Sequence, residues 1–113
     1  CLGTANVLET LKNYKGKCTA VIITSDKAYK NQEWVWGYKE TDELGGNDIY
    51  SGSKAAAELL IKSYFQSFIK QKDNIKVGIG RAGNVIGGGD YSEDRLIPDI
   101  FRYFSKKYSF QIL

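Results

Sequence analysis

The run Thr19–Thr24 (TAVIIT) constrains this chain more than any other stretch. It is short, β-branched and free of charge, which suits a strand buried on both faces of a parallel sheet. A parallel partner lies beyond the reach of a tight turn and requires a crossover, normally a helix. Tyr50–Lys70 supplies it: Ala55–Ala57 and Leu59–Ile61 favour helix, and Ile61, Tyr64, Phe65, Phe68 and Ile69 mark an apolar face. Lys76–Ile86 (KVGIGRAGNVI) reads as the second strand, broken by Gly87–Gly89. Residues 2–13 read as the end of an amphipathic helix closed by Gly16, and a last helix is expected from Ile97 to Lys107 with Pro98 in its first turn. Residues 25–49, polar around Trp34 and Trp36, read as a long loop, and such a loop after a buried strand is more often functional than decorative. Helix, strand, loop, helix, strand, loop, helix is the rhythm of an α/β fold with a parallel sheet.

Composition narrows the function classes. At 113 residues the chain has room for one core and not for two full domains. Its net charge of +3 is spread out, with no block of like charges, which argues against a nucleic-acid partner. No apolar run approaches the ~18 residues of a membrane span. Cys1 and Cys18 make neither a disulfide framework nor, with no His in the chain, a metal-ligand cluster. A reducing, cytoplasmic setting is therefore expected. The chain holds no Met and opens at Cys1, with Leu2, Val7, Leu8 and Leu11 already at helical spacing, so we expect an internal piece of a larger protein.

Gly78, Gly80 and Gly83 spell G-x-G-x-x-G, but that motif grips a dinucleotide only where a strand ends and a helix begins. Here the glycines lie inside a strand-like run with no helix after them, and the match reads as coincidence.

Three segments could carry chemistry. Tyr50 and Lys54 stand four apart, on one helix face a turn apart, and a nearby cation favours the phenolate form that a general base needs. Such a pair is also common on solvated helices. Thr24-Ser25-Asp26-Lys27 delivers hydroxyl, acid and amine where the first strand ends, the edge at which open α/β sheets bind ligands. An ordinary strand-end turn would use the same Ser and Asp. Gly87-Gly88-Gly89-Asp90 allows close backbone approach to a ligand, and Arg95 could grip a phosphate with two hydrogen bonds. A plain turn and a surface Arg are the alternatives.

Taken in order, T-S-D-K at a strand end, Y-S-G-S-K opening a helix, R-A-G-N-V-I-G-G-G-D and E-D-R-L-I-P-D resemble the extended short-chain dehydrogenase/reductase family. The likeness runs from Gly3-Thr4 to Leu113 and is nearest the branch of sugar-nucleotide dehydratases that acts on CDP-glucose. Lys27 discriminates, because the branches acting on dTDP-glucose and GDP-mannose carry Glu there. Ile49 replaces a usual Pro, Ala28 replaces a frequent Cys, and the family's glycine-rich NAD turn is missing.

The resemblance implies the C-terminal half of a Rossmann-like doubly wound parallel sheet (residues 1–86) and the start of a substrate-binding region (residues 87–113). It implies NAD-dependent dehydration of a nucleotide sugar, CDP-glucose first, by C4 oxidation, water elimination across C5–C6 and hydride return to C6. Ser25, Asp26, Lys27, Tyr50 and Lys54 would be catalytic, and Thr24, Tyr50, Lys54 and Asn84 would hold NAD. Ser25, Asn84, Arg95 and Leu96 would hold the substrate. A homodimer built on residues 2–13 and 50–70 is expected, and the chain alone should neither hold NAD tightly nor turn over. A dehydratase or 4-epimerase acting on another nucleotide sugar, or a non-catalytic interaction module of the same fold, are the alternatives.

Overall fold

The structure is a computed structural model that describes residues 1–106. It divides into two compact units, Cys1–Gly83 and a second beginning at Asn84.

The first unit is α/β. Helix α1 (Leu2–Asn13) leads into strand β1 (Cys18–Ser25), helix α2 (Ile49–Tyr64) crosses over, and strand β2 (Ile75–Ala82) returns parallel to β1. The ladder runs from Cys18 opposite Ile75 to Ser25 opposite Ala82. The sequence extends the second strand to Ile86, but β2 ends at Ala82, because β1 has no residue left to pair beyond Ser25. Among the described residues no third strand joins the sheet.

Both helices pack on one face of the ladder. Leu8 and Leu11 of α1 meet Ile61, Ile69 and Ile75 in the core, with Ala20, Ile22 and Val77 of the strands packed against them. Leu8, Ile61 and Ile69 are almost wholly buried, each worth about 1.5–3 kcal/mol of transfer free energy. The expectation that β1 is buried on both faces is met on one. Val21 and Ile23, pointing the other way, remain 65% and 62% exposed, since the described elements cover only the helix side.

The long helix expected to Lys70 is α-helical only to Tyr64. It continues as a wide π-turn over Phe65–Ile69, closed by the Lys70 N–H donating to the Phe65 carbonyl at 2.8 Å. The Tyr64 hydroxyl donates to Glu9 at 3.2 Å, and the Lys12 ammonium lies over the exposed Phe68 ring at 4.6 Å.

Residues 25–49 are tied down more than a plain loop. Asp26–Ala28 form a single 3-10 turn, and Tyr29 and Leu44 make an antiparallel bridge. Lys30 pairs with Glu43 at 3.1 Å, and the Tyr29 and Tyr38 rings stack at 4.9 Å. The returning segment then presses on α2. A Cβ at Gly46 would lie 2.2 Å from the Ser51 Cβ and 2.7 Å from the Gly52 nitrogen, so only glycine fits.

In the second unit Gly87–Asp90 turn tightly, with Gly89 at φ +84°. Helix α3 (Leu96–Lys106) follows, with Pro98 in its first turn as expected. Arg102 fastens it by pairing with Asp99 at 2.6 Å and donating to the carbonyls of Ser92 and Tyr91. The expected end at Lys107 lies outside the described residues.

Gly46→Ala should lower the stability of the intact protein by about 1–3 kcal/mol, the usual cost of overpacking against backbone. Gly45→Ala should leave it within a few tenths, because the added carbon meets Lys30 Cβ at an ordinary 3.5 Å. Thermal melts of the two variants side by side test the difference.

Candidate functional site

The carboxyl end of β1 is built to present its last residues rigidly. Ser25 closes the 3-10 turn by accepting a hydrogen bond from the Lys27 N–H at 3.2 Å, and its hydroxyl donates to Asp26 Oδ1 at 3.2 Å. Asp26 and Lys27 are left exposed, and Ala28 behind them is fully buried as an anchor. The Asp26 carboxylate leans towards the end of β2, where a Cβ on Gly83 would come within 3.5 Å of Oδ2. Gly83 thus leaves room beside the acid.

Helix α2 opens on the other candidate pair. Asp48 is its N-cap and accepts from the Ser51 N–H at 2.9 Å and from the Ser51 hydroxyl at 2.6 Å. These bonds hold the Asp48 carboxyl below the usual carboxylate range, the hydroxyl contributing most. With the first turn fixed, Tyr50 and Lys54 project from neighbouring turns, and the Lys54 ammonium lies 5.4 Å from the Tyr50 ring centre. Tyr50 remains 55% exposed, open to a ligand.

The two clusters meet because α2 packs on the 3-10 turn. Asp26 and Lys27 share the walls of a cavity of about 460 Å³ with Asp48 and Ser51 from the start of α2, and with Asn31 and Tyr38 from the long loop. Tyr50 and Lys54 stand outside that wall.

Thr24 lies deeper than the others. It is buried, and its hydroxyl donates to Glu58 Oε1 at 2.6 Å. That hydroxyl is already committed, so any hold Thr24 has on a cofactor comes from its backbone. Asn84, Arg95 and Leu96 belong to the second unit, where with Gly87–Gly89 they line a cavity of about 880 Å³. The Asp90 carboxyl at its rim is held below the usual range, first by the Ser92 N–H, with Arg95 and Arg102 adding smaller effects.

Sequence reasoning passed over Glu58 and Arg81. Glu58 is 2% exposed, and Arg81 of β2 grips it through Nε at 2.9 Å and Nη2 at 2.6 Å. Arg81 Nη1 also reaches the Glu40 carbonyl at 3.2 Å, and its guanidinium covers the Tyr29 ring at 4.5 Å. Glu58 holds the Arg81 guanidinium far above its ordinary pKa. The signal was available: one acid in the apolar run AAAELLI and one base in the strand GIGRA, each where a charge has no water.

A profile described as the NAD dependent epimerase/dehydratase family matches residues 1–113. The chain is 50% identical over 107 residues to a Salmonella typhimurium protein named CDP-glucose 4,6-dehydratase, covering 91% of this chain and 30% of that protein. It is 36% identical over 107 residues to a Dictyostelium discoideum protein named dTDP-D-glucose 4,6-dehydratase, covering 86% and 23%. An uncharacterized protein of Schizosaccharomyces pombe matches at 34% over 104 residues, covering 86% and 27%. The chain therefore spans less than a third of the length of the curated relatives it matches.

Because the fold depresses the Asp48 carboxyl, the cap is complete above the ordinary Asp value and is lost as pH falls through the lower folded value. The Ser51 amide should therefore begin to exchange faster with solvent below roughly pH 4. Asp48→Asn should keep the cap and remove this pH dependence, and amide exchange followed between pH 2 and 6 distinguishes the variants.

Proposed function

The chain belongs to the NAD dependent epimerase/dehydratase family, and from that premise we propose that the intact protein dehydrates a nucleotide sugar, CDP-glucose to CDP-4-keto-6-deoxyglucose. The observation that carries the reading is the packing of α2, with Tyr50 and Lys54 near its start, on the turn that holds Asp26 and Lys27. The 50% identity to a protein named for that reaction supports the choice of sugar nucleotide. Lys27, where the branches acting on dTDP-glucose and GDP-mannose carry Glu, favours the same choice over the base named for the 36% identical relative.

The donor set suits the nicotinamide end of NAD: an exposed phenol with an ammonium beside it, at the carboxyl end of a parallel strand. Tyr50 and Lys54 would hold that end, with Asn84 and the Thr24 backbone as further contacts. Gly78 and Gly80 lie inside β2 and grip no pyrophosphate. NAD, when bound, supplies the site that takes hydride from C4 and returns it to C6.

The chain's own residues handle the protons. Tyr50 takes the proton of the sugar 4-hydroxyl, and the Lys54 ammonium favours the phenolate. Ser25, its hydroxyl fixed by Asp26 and the Lys27 N–H, orients that hydroxyl. With C4 a ketone, the C5 proton is acidic and passes to the Lys27 amine. Asp26, protonated, gives its proton to the departing 6-hydroxyl, which leaves as water.

Arg95 and Leu96 bind the nucleotide diphosphate, and Asn84 the sugar. The intact enzyme pairs as a homodimer through α1 and α2, whose Leu2, Val7 and Leu59 are more than half exposed.

Incubating the intact protein with CDP-glucose and NAD and following the alkali-induced absorbance of a 4-keto-6-deoxy sugar tests the reading. Tyr50→Phe and Lys27→Ala should each lower turnover by roughly 10²–10⁴-fold, the usual worth of a positioned acid or base. Turnover of a UDP, dTDP or GDP sugar in place of CDP-glucose would overturn the substrate. No product from any of the four would point to the non-catalytic module.

A further inference from the structure

Glu58 and Arg81 form a buried ion pair that the proton chemistry above does not use. Glu58 is 1% exposed at its side chain and Arg81 17%. Taking two charges out of water is costly, and such a pair is often no more stabilising than apolar side chains of the same size. The partners of this pair point to a different role. Glu58 belongs to α2 and Arg81 to β2; Glu58 also accepts from Thr24 of β1, and Arg81 reaches the Glu40 carbonyl and covers the Tyr29 ring. Four separate pieces of the first unit meet at one carboxylate and its guanidinium.

The placement along α2 matters most. Tyr50, Lys54 and Glu58 follow one another at four-residue intervals, so they lie along one stripe of the helix with one turn between neighbours. Thr24 directly precedes Ser25, Asp26 and Lys27, and it stands opposite Arg81 in the ladder. The short Thr24–Glu58 bond therefore fixes the rotation of α2 about its axis relative to the end of β1. The fork of Arg81 sets it a second time from the neighbouring strand. An apolar contact would hold the helix against the sheet but would tolerate rotation and sliding. A bidentate pair with a third hydrogen bond does not.

We propose that Glu58 and Arg81 are positioning residues that set the angle at which Tyr50 and Lys54 face Ser25, Asp26 and Lys27, and that this register, more than stability, is what the buried charges provide. The effect on turnover rests on the dehydratase reading; the effect on local order does not.

The test compares the intact wild type with Glu58→Leu/Arg81→Leu, which replaces both charges with apolar volume, and with Glu58→Gln, which keeps the shape. Amide exchange is read at Ser25–Ala28 and 50–54, with Leu8 and Ile75 as core references. The double variant should melt within a few degrees of wild type and lose at least tenfold in kcat with KM for CDP-glucose within twofold. Exchange at the two site segments should rise at least tenfold while the core references hold. Glu58→Gln should show the same local rise, which keeps the proposal testable if the double variant fails to fold. Wild-type exchange and kcat in a folded double variant would overturn it, as would exchange rising equally at site and core. If the wild type turns over no nucleotide sugar, the function proposed above falls, and the exchange pattern still decides the positioning role.

Discussion

The parallel ladder between β1 and β2 is the constraint on which the rest of this structure depends. Two strands that run the same way leave their ends on opposite edges, so the chain must travel the length of the sheet again before the second strand can start. Here that return is α2, packed on the face that Ala20, Ile22 and Val77 supply. The ladder also decides where chemistry is available. It ends at Ser25 and Ala82, so the backbone beyond β1 is free of pairing where it turns through Asp26 and Lys27. The crossover helix starts at that same end. A strand terminus and a helix N-terminal turn are thus brought together by topology, before any side chain contributes.

Topology alone leaves the helix free to roll and slide by fractions of a turn, and the polar contacts remove that freedom. Asp48 fastens the first turn, the loop at Gly46 presses on Ser51 and Gly52, and Glu58 ties the third turn to both strands. The long loop is held from within by the Tyr29–Leu44 bridge and the stacked Tyr29 and Tyr38 rings. Its polar sequence therefore reflects ordered hydrogen bonding at a site as much as solvent exposure.

Much of this was legible in the residues. TAVIIT announced a strand, the alanine-rich run announced the crossover, and the spacing of Tyr50 from Lys54 put both on one face. These are local signals, and periodicity and propensity carry them. The end of β2 was not legible, because Val85 and Ile86 have strand-like side chains and only the length of β1 stops the pairing. The π-turn escaped for a similar reason: each of Phe65–Ile69 suits an α-helix, and the wider turn registers only as which side chains reach the core. The Glu58–Arg81 pair joins residues 23 positions apart, and a single sequence does not record such a pairing. It records only two charges in places where a charge needs a reason.

The π-turn has a consequence for how this helix can vary in length. A π-turn accommodates one residue more than an α-helical turn, so it behaves as an insertion absorbed within the helix. Removing one residue from Phe65–Ile69 would rewind the segment as plain α-helix and swing everything after it by about 100° relative to the first four turns. Ile69, 1% exposed and packed with Leu8 and Leu11, would leave the core, and the approach to β2 at Ile75 would start from the wrong side. Upstream, α2 carries the Tyr50, Lys54 and Glu58 stripe, which such a deletion would not touch. The helix thus has two zones with different tolerance of length change: an N-terminal zone whose phase is fixed by the site, and a C-terminal zone whose phase is set by the core. The wide turn is the joint that lets both phases be satisfied in one continuous helix.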